Sequence, residues 1–155
     1  MNIKTFSRGE IIFREGDAGD CVYELSYGRV GIYANYGKEN EQKISELIGE
    51  QFFGEMGLLE HAPRSATAVA LEEGTCVDAI TEDNFNEFFK ENPAKVLMMI
   101  QQMCHRLRRT TDDYLEVCRT AHDVVTTEKA GKQQPLGLKA SIRKFCEFYK
   151  ELLGI

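Results

Sequence analysis

The chain has 155 residues, 43% of them hydrophobic and 28% charged, which fits one globular domain with a sizeable core and a small accessory element. Its formal net charge of -6 and isoelectric point near 5.2 argue against the basic surface on which most nucleic-acid affinity depends. The apolar runs are too short to span a bilayer, and the first residues lack the apolar centre of a signal peptide. We therefore expect a cytoplasmic protein that binds neither DNA nor membranes.

The cysteines favour a reducing compartment. There are five, an odd number, and they are widely spaced without a Cys-x-x-Cys pair. This pattern predicts neither a disulfide framework nor a zinc knuckle. In a reducing cytoplasm most of them are expected to be small buried hydrophobic residues.

The first half of the chain alternates between short β-rich runs and glycine-containing turns. The runs are residues 10–13, 21–25, 30–33, 44–48, 67–71 and 76–80. Six or more short strands at this regular spacing predict a mainly β domain over residues 1–92, arranged as an antiparallel sandwich, jelly roll or barrel.

Within that half, the segment 53–70 combines residue types that suit an anionic ligand carrying hydroxyl groups. Gly54 and Gly57 allow a tight turn and a close approach of the backbone to a ligand. Residues 56–60 are predicted to form one short helical turn, whose first N–H groups point outward as an anion site. Glu55, at the start of that turn, can accept hydrogen bonds from a hydroxyl group.

The second part of the same segment adds a cation. Arg64 offers a planar pair of donors suited to phosphate oxygens, and Ser65 adds a hydroxyl group and a backbone donor. Residues 66–70 then return as a strand with little side-chain bulk near the pocket. For Glu55 or Arg64 taken alone, an ion pair across a turn is the simpler interpretation. The ordered set G-E-x-x-L-L…P-R-S-A favours a binding site for a sugar and an anion.

The chain becomes helical from residue 82 onward. Asp83 is predicted to cap a short helix that ends near Asn92. A long helix over residues 93–125 follows, with Pro93 in its first turn. Its apolar or small positions alternate four and three residues apart, as in a coiled-coil seam. They are Val96, Ile100, Met103, Leu107, Thr110, Tyr114, Val117, Ala121 and Val124.

This seam, as we call these nine positions, has two interpretations. The helix can pack along its own β domain, or it can pair with a second copy of the chain. A helix of about 30 residues spans roughly 45 Å, which is longer than the β domain needs. We therefore favour a homodimer in which the near half packs inward and the far half pairs.

The last part of the chain is predicted to hold a linker and a terminal helix. Residues 126–137 are polar and contain glycine and proline, as linkers do. Residues 138–155 form a helix with one apolar face and one basic side. Packing on the dimer helix is preferred for it over a role at a membrane surface or on nucleic acid.

The segment 53–70 resembles the phosphate-binding cassette of the cyclic-nucleotide-binding domain family, to which catabolite activator protein and the regulatory subunits of cAMP-dependent kinase belong. Phe13–Asp20 is similar to the family's first glycine-rich turn, and Tyr27–Val30 is similar to its second. The resemblance covers residues 3–125. It implies an antiparallel β-roll or jelly roll (a double-stranded β-helix), followed by a long dimerisation helix and a short terminal helix. One departure is Glu50, where the family often has glycine, so the loop there is expected to differ.

The resemblance also implies that the chain binds a 3′,5′-cyclic nucleotide. Carried over by position, Glu55 binds the ribose 2′-hydroxyl and Arg64 binds the cyclic phosphate. Ser65 contacts the phosphate, or a guanine base held in the syn form. The anion cradle is completed by Gly54, Met56, Gly57, Leu58 and Ala66.

On the long helix, residues 105–111 are similar to the family's Arg-Arg-Leu-x-x-Thr-Ser segment. In that family the two hydroxyl residues meet the adenine edge, one from each subunit. Thr110 and Thr111 are thus candidate base contacts that favour cAMP over cGMP. Without the resemblance they are equally well explained as polar residues on a helix surface.

These implications describe a stand-alone regulatory sensor that signals through rearrangement of the long helix to a separate effector protein. A cGMP sensor, or an interaction module that keeps the fold without responding to any nucleotide, are the alternatives, and a cyclic dinucleotide is a further candidate ligand. The residues after the long helix are too few for a helix-turn-helix domain, so direct DNA binding is not expected.

Neither an enzyme nor a metal site is predicted. His61, His105 and His122 form no His-x-His pair and have no clustered carboxylates at ligand spacing. Cys118 and His122 share a helical face, but ordinary helix residues are the better explanation. No serine or cysteine lies in a recognisable nucleophile setting, so no catalysis and no cofactor are expected.

Overall fold

Eight strands and three helices make up the part of the chain that the structure, a computed structural model, describes, namely residues 2–129. The strands are β1 (Ile3–Phe6), β2 (Ile11–Phe13), β3 (Cys21–Tyr27), β4 (Arg29–Ala34), β5 (Gln42–Ile48), β6 (Gln51–Phe53), β7 (Thr67–Ala70) and β8 (Thr75–Thr81). The helices are α1 (Glu55–Glu60), α2 (Glu82–Glu91) and α3 (Pro93–Lys129).

The strands form two four-stranded antiparallel sheets. The strand order is β1-β8-β3-β6 in the first sheet and β2-β7-β4-β5 in the second. The first core cluster lies between the sheets, because its members come from strands of both. They are Phe13, Cys21, Tyr23, Leu25, Val30, Leu47, Phe53, Ala68, Val77 and Ala79.

A second core cluster covers the other face of the first sheet. It joins sheet residues with one residue from each of the three helices. Its buried members are Val22, Phe52, Leu58, Ile80, Phe89 and Met99. Since successive residues of a strand point to opposite faces, β3 contributes to both clusters and residues 21–25 are all buried.

The predicted fold class is confirmed: an antiparallel β fold is followed by a long helix. Each of the six predicted runs contains a strand, and α3 begins at Pro93 as expected. The predicted cap of the short helix was wrong. Thr81 occupies the N-cap position of α2 without a side-chain capping bond, and Asp83 lies within the first turn.

The chain divides into two units, residues 1–102 and residues 103–155, and α3 crosses the division. α3 continues to Lys129 and so includes the first residues of the predicted linker. The rest of that linker and the predicted helix 138–155 lie outside the described residues, and the predicted domain limits stay a prediction. Within residues 2–129 no helix has the length and apolar character needed to cross a membrane.

Candidate functional site

The segment 53–70 folds as a turn, a short helix, a loop and a strand. β6 ends at Phe53, and Gly54 adopts a left-handed conformation with φ of 73° before α1 begins. α1 occupies the place of the predicted helical turn, and His61, the C-cap residue that follows it, is also left-handed, at φ of 50°. β7 then starts at Thr67.

Gly54 is required at its position for two reasons. Its positive φ is a conformation that residues with a Cβ atom rarely adopt. A Cβ atom placed there would lie 2.7 Å from Nη1 of Arg64. The glycine therefore allows the backbone to turn directly against the arginine side chain.

Arg64 lies inside the domain, with only 4% of its surface exposed. Its Nη1 donates to the carbonyl oxygens of Cys21 and Gly54, at 2.7 and 2.6 Å, and its Nη2 lies 3.2 Å from Sγ of Cys21. The guanidinium carbon is 4.6 Å from the ring centroid of Phe13 and 5.4 Å from that of Tyr23. Carbonyl dipoles and aromatic faces thus hold a buried cation in a fixed place.

The polar neighbours of Arg64 leave part of its bonding capacity unused. Asp20 is its ion-pair partner, with Oδ1 at 3.6 Å from Nη2, but the Asp20 side chain is 80% exposed and the attraction is screened by water. Within the described chain, Nε of Arg64 is buried and has no hydrogen-bond partner. A buried donor without a partner is costly, so an anion that reaches Nε would stabilise this arrangement.

Tyr23 cannot supply that anion. Burial raises the pKa of the Tyr23 hydroxyl above its ordinary value, a hydrogen bond with the Cys21 side chain raises it further, and the Arg64 cation opposes this only weakly. The phenol is therefore neutral at physiological pH.

The glycine-rich turn of residues 14–20 forms a wall of the same site. Gly16 donates its N–H to the carbonyl of Arg64, and Arg64 donates its own N–H to the carbonyl of Asp17, both at 2.9 Å. A Cβ atom on Gly19 would lie 2.5 Å from Cα of Gly57, so the turn and α1 approach backbone to backbone. The glycines of this turn were evident in the sequence, but their close approach to α1 and to the backbone of Arg64 was not.

The other predicted cassette residues divide by burial. Glu55 is buried in the first turn of α1, whereas the side chains of Met56 and Ser65 are exposed and meet at 4.0 Å between Sδ and Oγ. The Leu58 side chain packs into the second core cluster, so only its backbone N–H is a candidate for the predicted anion cradle. The first unit thus brings together eight predicted residues: Gly54, Glu55, Met56, Gly57, Leu58, Arg64, Ser65 and Ala66.

Thr110 and Thr111 belong to the second unit. Both are exposed on α3, and their hydroxyl groups donate to carbonyl oxygens of their own helix, those of Arg106 at 3.1 Å and Leu107 at 2.9 Å. Their assignment as base contacts stays a prediction.

The cysteines and histidines of the described chain show no metal centre. No group of three or more His, Cys, Asp or Glu side chains within residues 2–129 could hold a metal ion. Cys118 and His122, which share a helical face, belong to no such group in this part of the chain.

The family model of the cyclic nucleotide-binding domain matches residues 3–92. The chain therefore belongs to the cyclic nucleotide-binding domain family, as its sequence predicted. This is a family of regulatory binding domains that are generally not catalytic.

Three relatives show the extent of the similarity. A cAMP-dependent protein kinase regulatory subunit from Candida albicans is 28% identical over 162 residues, which cover 97% of this chain and 33% of that protein. The crystal structure of Thermus thermophilus catabolite activator protein has a TM-score of 0.63 at 26% identity and covers 84% of this chain and 63% of that one. The EAL enzyme Bd1971 has a TM-score of 0.51 at 30% identity in its cAMP-bound form, over 83% of this chain and 33% of that one. Its cGMP-bound form has a TM-score of 0.52 at 31% identity and covers 84% of this chain and 34% of that one.

The chain is a cyclic nucleotide-binding domain that resembles cAMP sensors. It spans about a third of the kinase subunit's length.

Proposed function

We propose that the chain binds a 3′,5′-cyclic nucleotide, with cAMP preferred, and passes the binding event to a separate effector protein without catalysing a reaction. The observation that carries the proposal is Arg64, a buried cation whose Nε has no partner in the described chain. A phosphate oxygen that accepts from Nε would complete its hydrogen bonds and balance its charge.

Glu55 supports the sugar part of the proposal. It is buried like Arg64 and belongs to the same cassette, separated from it by α1 and the following loop. A cyclic nucleotide carries a free 2′-hydroxyl on the ring that also bears the cyclic phosphate. A carboxylate for the hydroxyl and a guanidinium for the phosphate therefore fit one compact ligand.

The choice of base rests on two threonines of α3 and on Ser65. Thr110 and Thr111 carry hydroxyl groups that match the adenine contacts of the family, which favours cAMP. Ser65 is exposed at the cassette, as a contact to a syn guanine would require. We place cAMP first and treat cGMP and a cyclic dinucleotide as competing ligands in the test.

Signal output is proposed to pass through α3 in a homodimer. Four seam residues are large hydrophobic side chains that are exposed: Ile100, Met103, Leu107 and Tyr114. Pairing with a second copy would remove this apolar surface from water. The proposal includes a cytoplasmic location and no direct contact with DNA, since the chain is acidic.

Calorimetric titration of the wild-type chain with cAMP, cGMP and a cyclic dinucleotide tests the proposal. We expect saturable binding, tightest for cAMP. Arg64→Ala should weaken cAMP binding by at least tenfold, because truncating one partner of a buried charge pair costs about 2–5 kcal/mol. Arg64→Lys keeps the charge but loses the planar fork and should be intermediate.

Arg8→Ala is the matched control, because Arg8 is exposed in the turn between β1 and β2. Its affinity should equal that of the wild type. Wild-type affinity in a folded Arg64→Ala variant would contradict the site assignment. A wild-type chain that melts cooperatively and binds none of the three nucleotides would favour the interaction-module alternative.

A further inference from the structure

The strand that leads into the cassette lies at the edge of its sheet. β6 pairs with β3 on one side and ends the strand order of the first sheet. The backbone of an edge strand has N–H and C=O groups on the side away from its neighbour, and they need other partners. A single side chain of α3 supplies partners for two such groups.

That side chain is Gln102. The N–H of Phe52 donates to Oε1 of Gln102 at 3.0 Å. The Nε2 of Gln102 donates to the carbonyl oxygen of Glu50 at 3.2 Å. One primary amide offers both an acceptor and donors, so it pairs with β6 as the C=O and N–H groups of one residue in a neighbouring strand would. The two bonds also fix the orientation of the Gln102 amide, because the N–H of Phe52 requires its oxygen as acceptor and the carbonyl of Glu50 requires its nitrogen as donor.

The bonds join two well-packed regions. On the helix, Met99 lies one turn before Gln102 and is buried in the second core cluster together with Phe52. On the strand, Phe52 is followed within two residues by Gly54, whose carbonyl oxygen accepts from Arg64 at 2.6 Å. A displacement of α3 at Gln102 would thus be transmitted to Arg64 through only two peptide units.

We propose that Gln102 is a positioning residue for the cassette: it holds β6 in register with α3 and thereby couples the helix to Arg64. The coupling serves ligand binding as proposed above, but the bonds and their effect on the cassette can be measured without any ligand. Movement of α3 at Gln102 changes the support of the strand end that carries Gly54. Occupation of the cassette changes the packing of α3 in return, because coupling between two positions is reciprocal.

Three variants of the full chain separate this role from general stability. Gln102→Met keeps the length of the side chain and removes both hydrogen bonds. Gln102→Glu keeps an acceptor for the N–H of Phe52 but has no donor for the Glu50 carbonyl at neutral pH. Gln101→Met is the matched control, because Gln101 is the same residue type, one position earlier and exposed.

Amide hydrogen exchange of the ligand-free chain is the first measurement. In Gln102→Met the Phe52 amide should exchange about tenfold faster, the scale for a lost, partly buried hydrogen bond, and the amides of Gly54 and Arg64 should also exchange faster. Gln102→Glu should keep most of the Phe52 protection, and Gln101→Met should match the wild type. Unchanged exchange at Phe52, or a change at Phe52 that does not extend to Gly54 and Arg64, would overturn the proposal.

Titration with cAMP is the second measurement. Gln102→Met should bind about three- to tenfold more weakly than the wild type. In the wild type, cAMP should alter exchange at residues 93–102, and in Gln102→Met this response should shrink while the response at Arg64 persists. An undiminished helix response would overturn the coupling. If the wild type binds no cAMP, the proposed function fails, and the ligand-free exchange at Gly54 and Arg64 still decides the role of Gln102.

Discussion

Arg64 shows how a charged residue can be buried when its surroundings replace water. Two carbonyl oxygens accept from its Nη1, and the rings of Phe13 and Tyr23 cover the guanidinium group. The rings of Phe13, Tyr23 and Phe53 are themselves stacked at centroid distances of 5.4–5.9 Å. The guanidinium group therefore packs against a rigid cluster of aromatic rings, which keeps Nε of Arg64 in place before any ligand arrives.

Gly54 and Gly49 give a matched test at the same backbone angle. Both have φ of 73°, but a Cβ atom at Gly49 would meet nothing within 4 Å, whereas one at Gly54 would meet Arg64. Each substitution by alanine should cost about 1–2 kcal/mol of unfolding free energy because of the left-handed backbone. Only Gly54→Ala should also weaken cAMP binding, since it displaces the guanidinium group.

Urea unfolding and calorimetric titration of both variants measure these two effects. Equal losses of affinity in Gly49→Ala and Gly54→Ala would contradict the contact between Gly54 and Arg64.

Tyr23 predicts a loss of stability in alkaline solution. Its pKa is raised in the folded state, chiefly by burial, while the unfolded chain titrates near the ordinary value of 10.0. Above that pH the unfolded state binds fewer protons than the folded state, so the free energy of unfolding falls as pH rises; below it this contribution is fully present. Tyr23→Phe removes the titrating group. Urea unfolding at about pH 8 and about pH 11 should show a smaller decrease for Tyr23→Phe than for the wild type, and equal decreases would contradict the assignment.

At the scale of elements, the start of α3 is attached to the first sheet by an ion pair as well as by apolar packing. Lys95 of α3 lies 2.7 Å from the carboxylate of Glu24 on β3, and its Nζ is 5.1 Å from the ring centroid of Phe88. The Glu24 side chain is buried, whereas that of Lys95 is partly exposed. The pair thus links the helix that carries Gln102 to the strand that carries Cys21.

Lys95→Met tests this link by leaving a buried carboxylate without its cation. Breaking a buried pair costs several kcal/mol, and the partial exposure of Lys95 reduces this to about 1–3 kcal/mol. The double variant Glu24→Gln with Lys95→Met should recover most of that stability, because no unpaired charge remains.

Lys43→Met is the control, since Lys43 pairs with Glu46 at an exposed position and should cost less than about 1 kcal/mol. Urea unfolding of the variants measures all of these changes. A Lys95→Met variant as stable as Lys43→Met would rule out a structural role for the pair.

At the scale of the whole molecule, the seam on α3 is the surface on which the proposed homodimer depends. Leu107 lies on the seam and is 68% exposed, while Leu115 lies off it and is 43% exposed. Both are leucines on the same helix, so their replacement by glutamate changes helix propensity equally.

Leu107→Glu should convert the proposed dimer to a monomer, raising the dissociation constant at least about a hundredfold, because it would bury an unpaired charge in the interface. Leu115→Glu should remain dimeric. Light scattering over a range of concentrations measures the mass of each variant. A monomeric wild type, or equal dissociation of both variants, would contradict pairing along the seam.

Local patterns in the sequence were enough to predict six of the eight strands, the cassette and the start of α3. Alternating runs, turn glycines and Pro93 act over a few residues, so their meaning does not depend on distant parts of the chain. The order of Glu55, Arg64 and Ser65 likewise identified the family without knowledge of their positions in space. The prediction that Asp83 caps the short helix was wrong. β8 runs to Thr81 and α2 follows it directly, so the helix starts earlier than the local signal at Asp83 indicates.

The inward setting of Arg64 and the attachment of α3 to β6 were decided only by the tertiary structure. Arg64 and Cys21 are 43 positions apart, and Gln102 and Phe52 are 50 apart. Both contacts depend on which strand lies at the sheet edge and on the register that brings β3 beside β6. Those features follow from packing of the whole domain, and no spacing within a short segment encodes them.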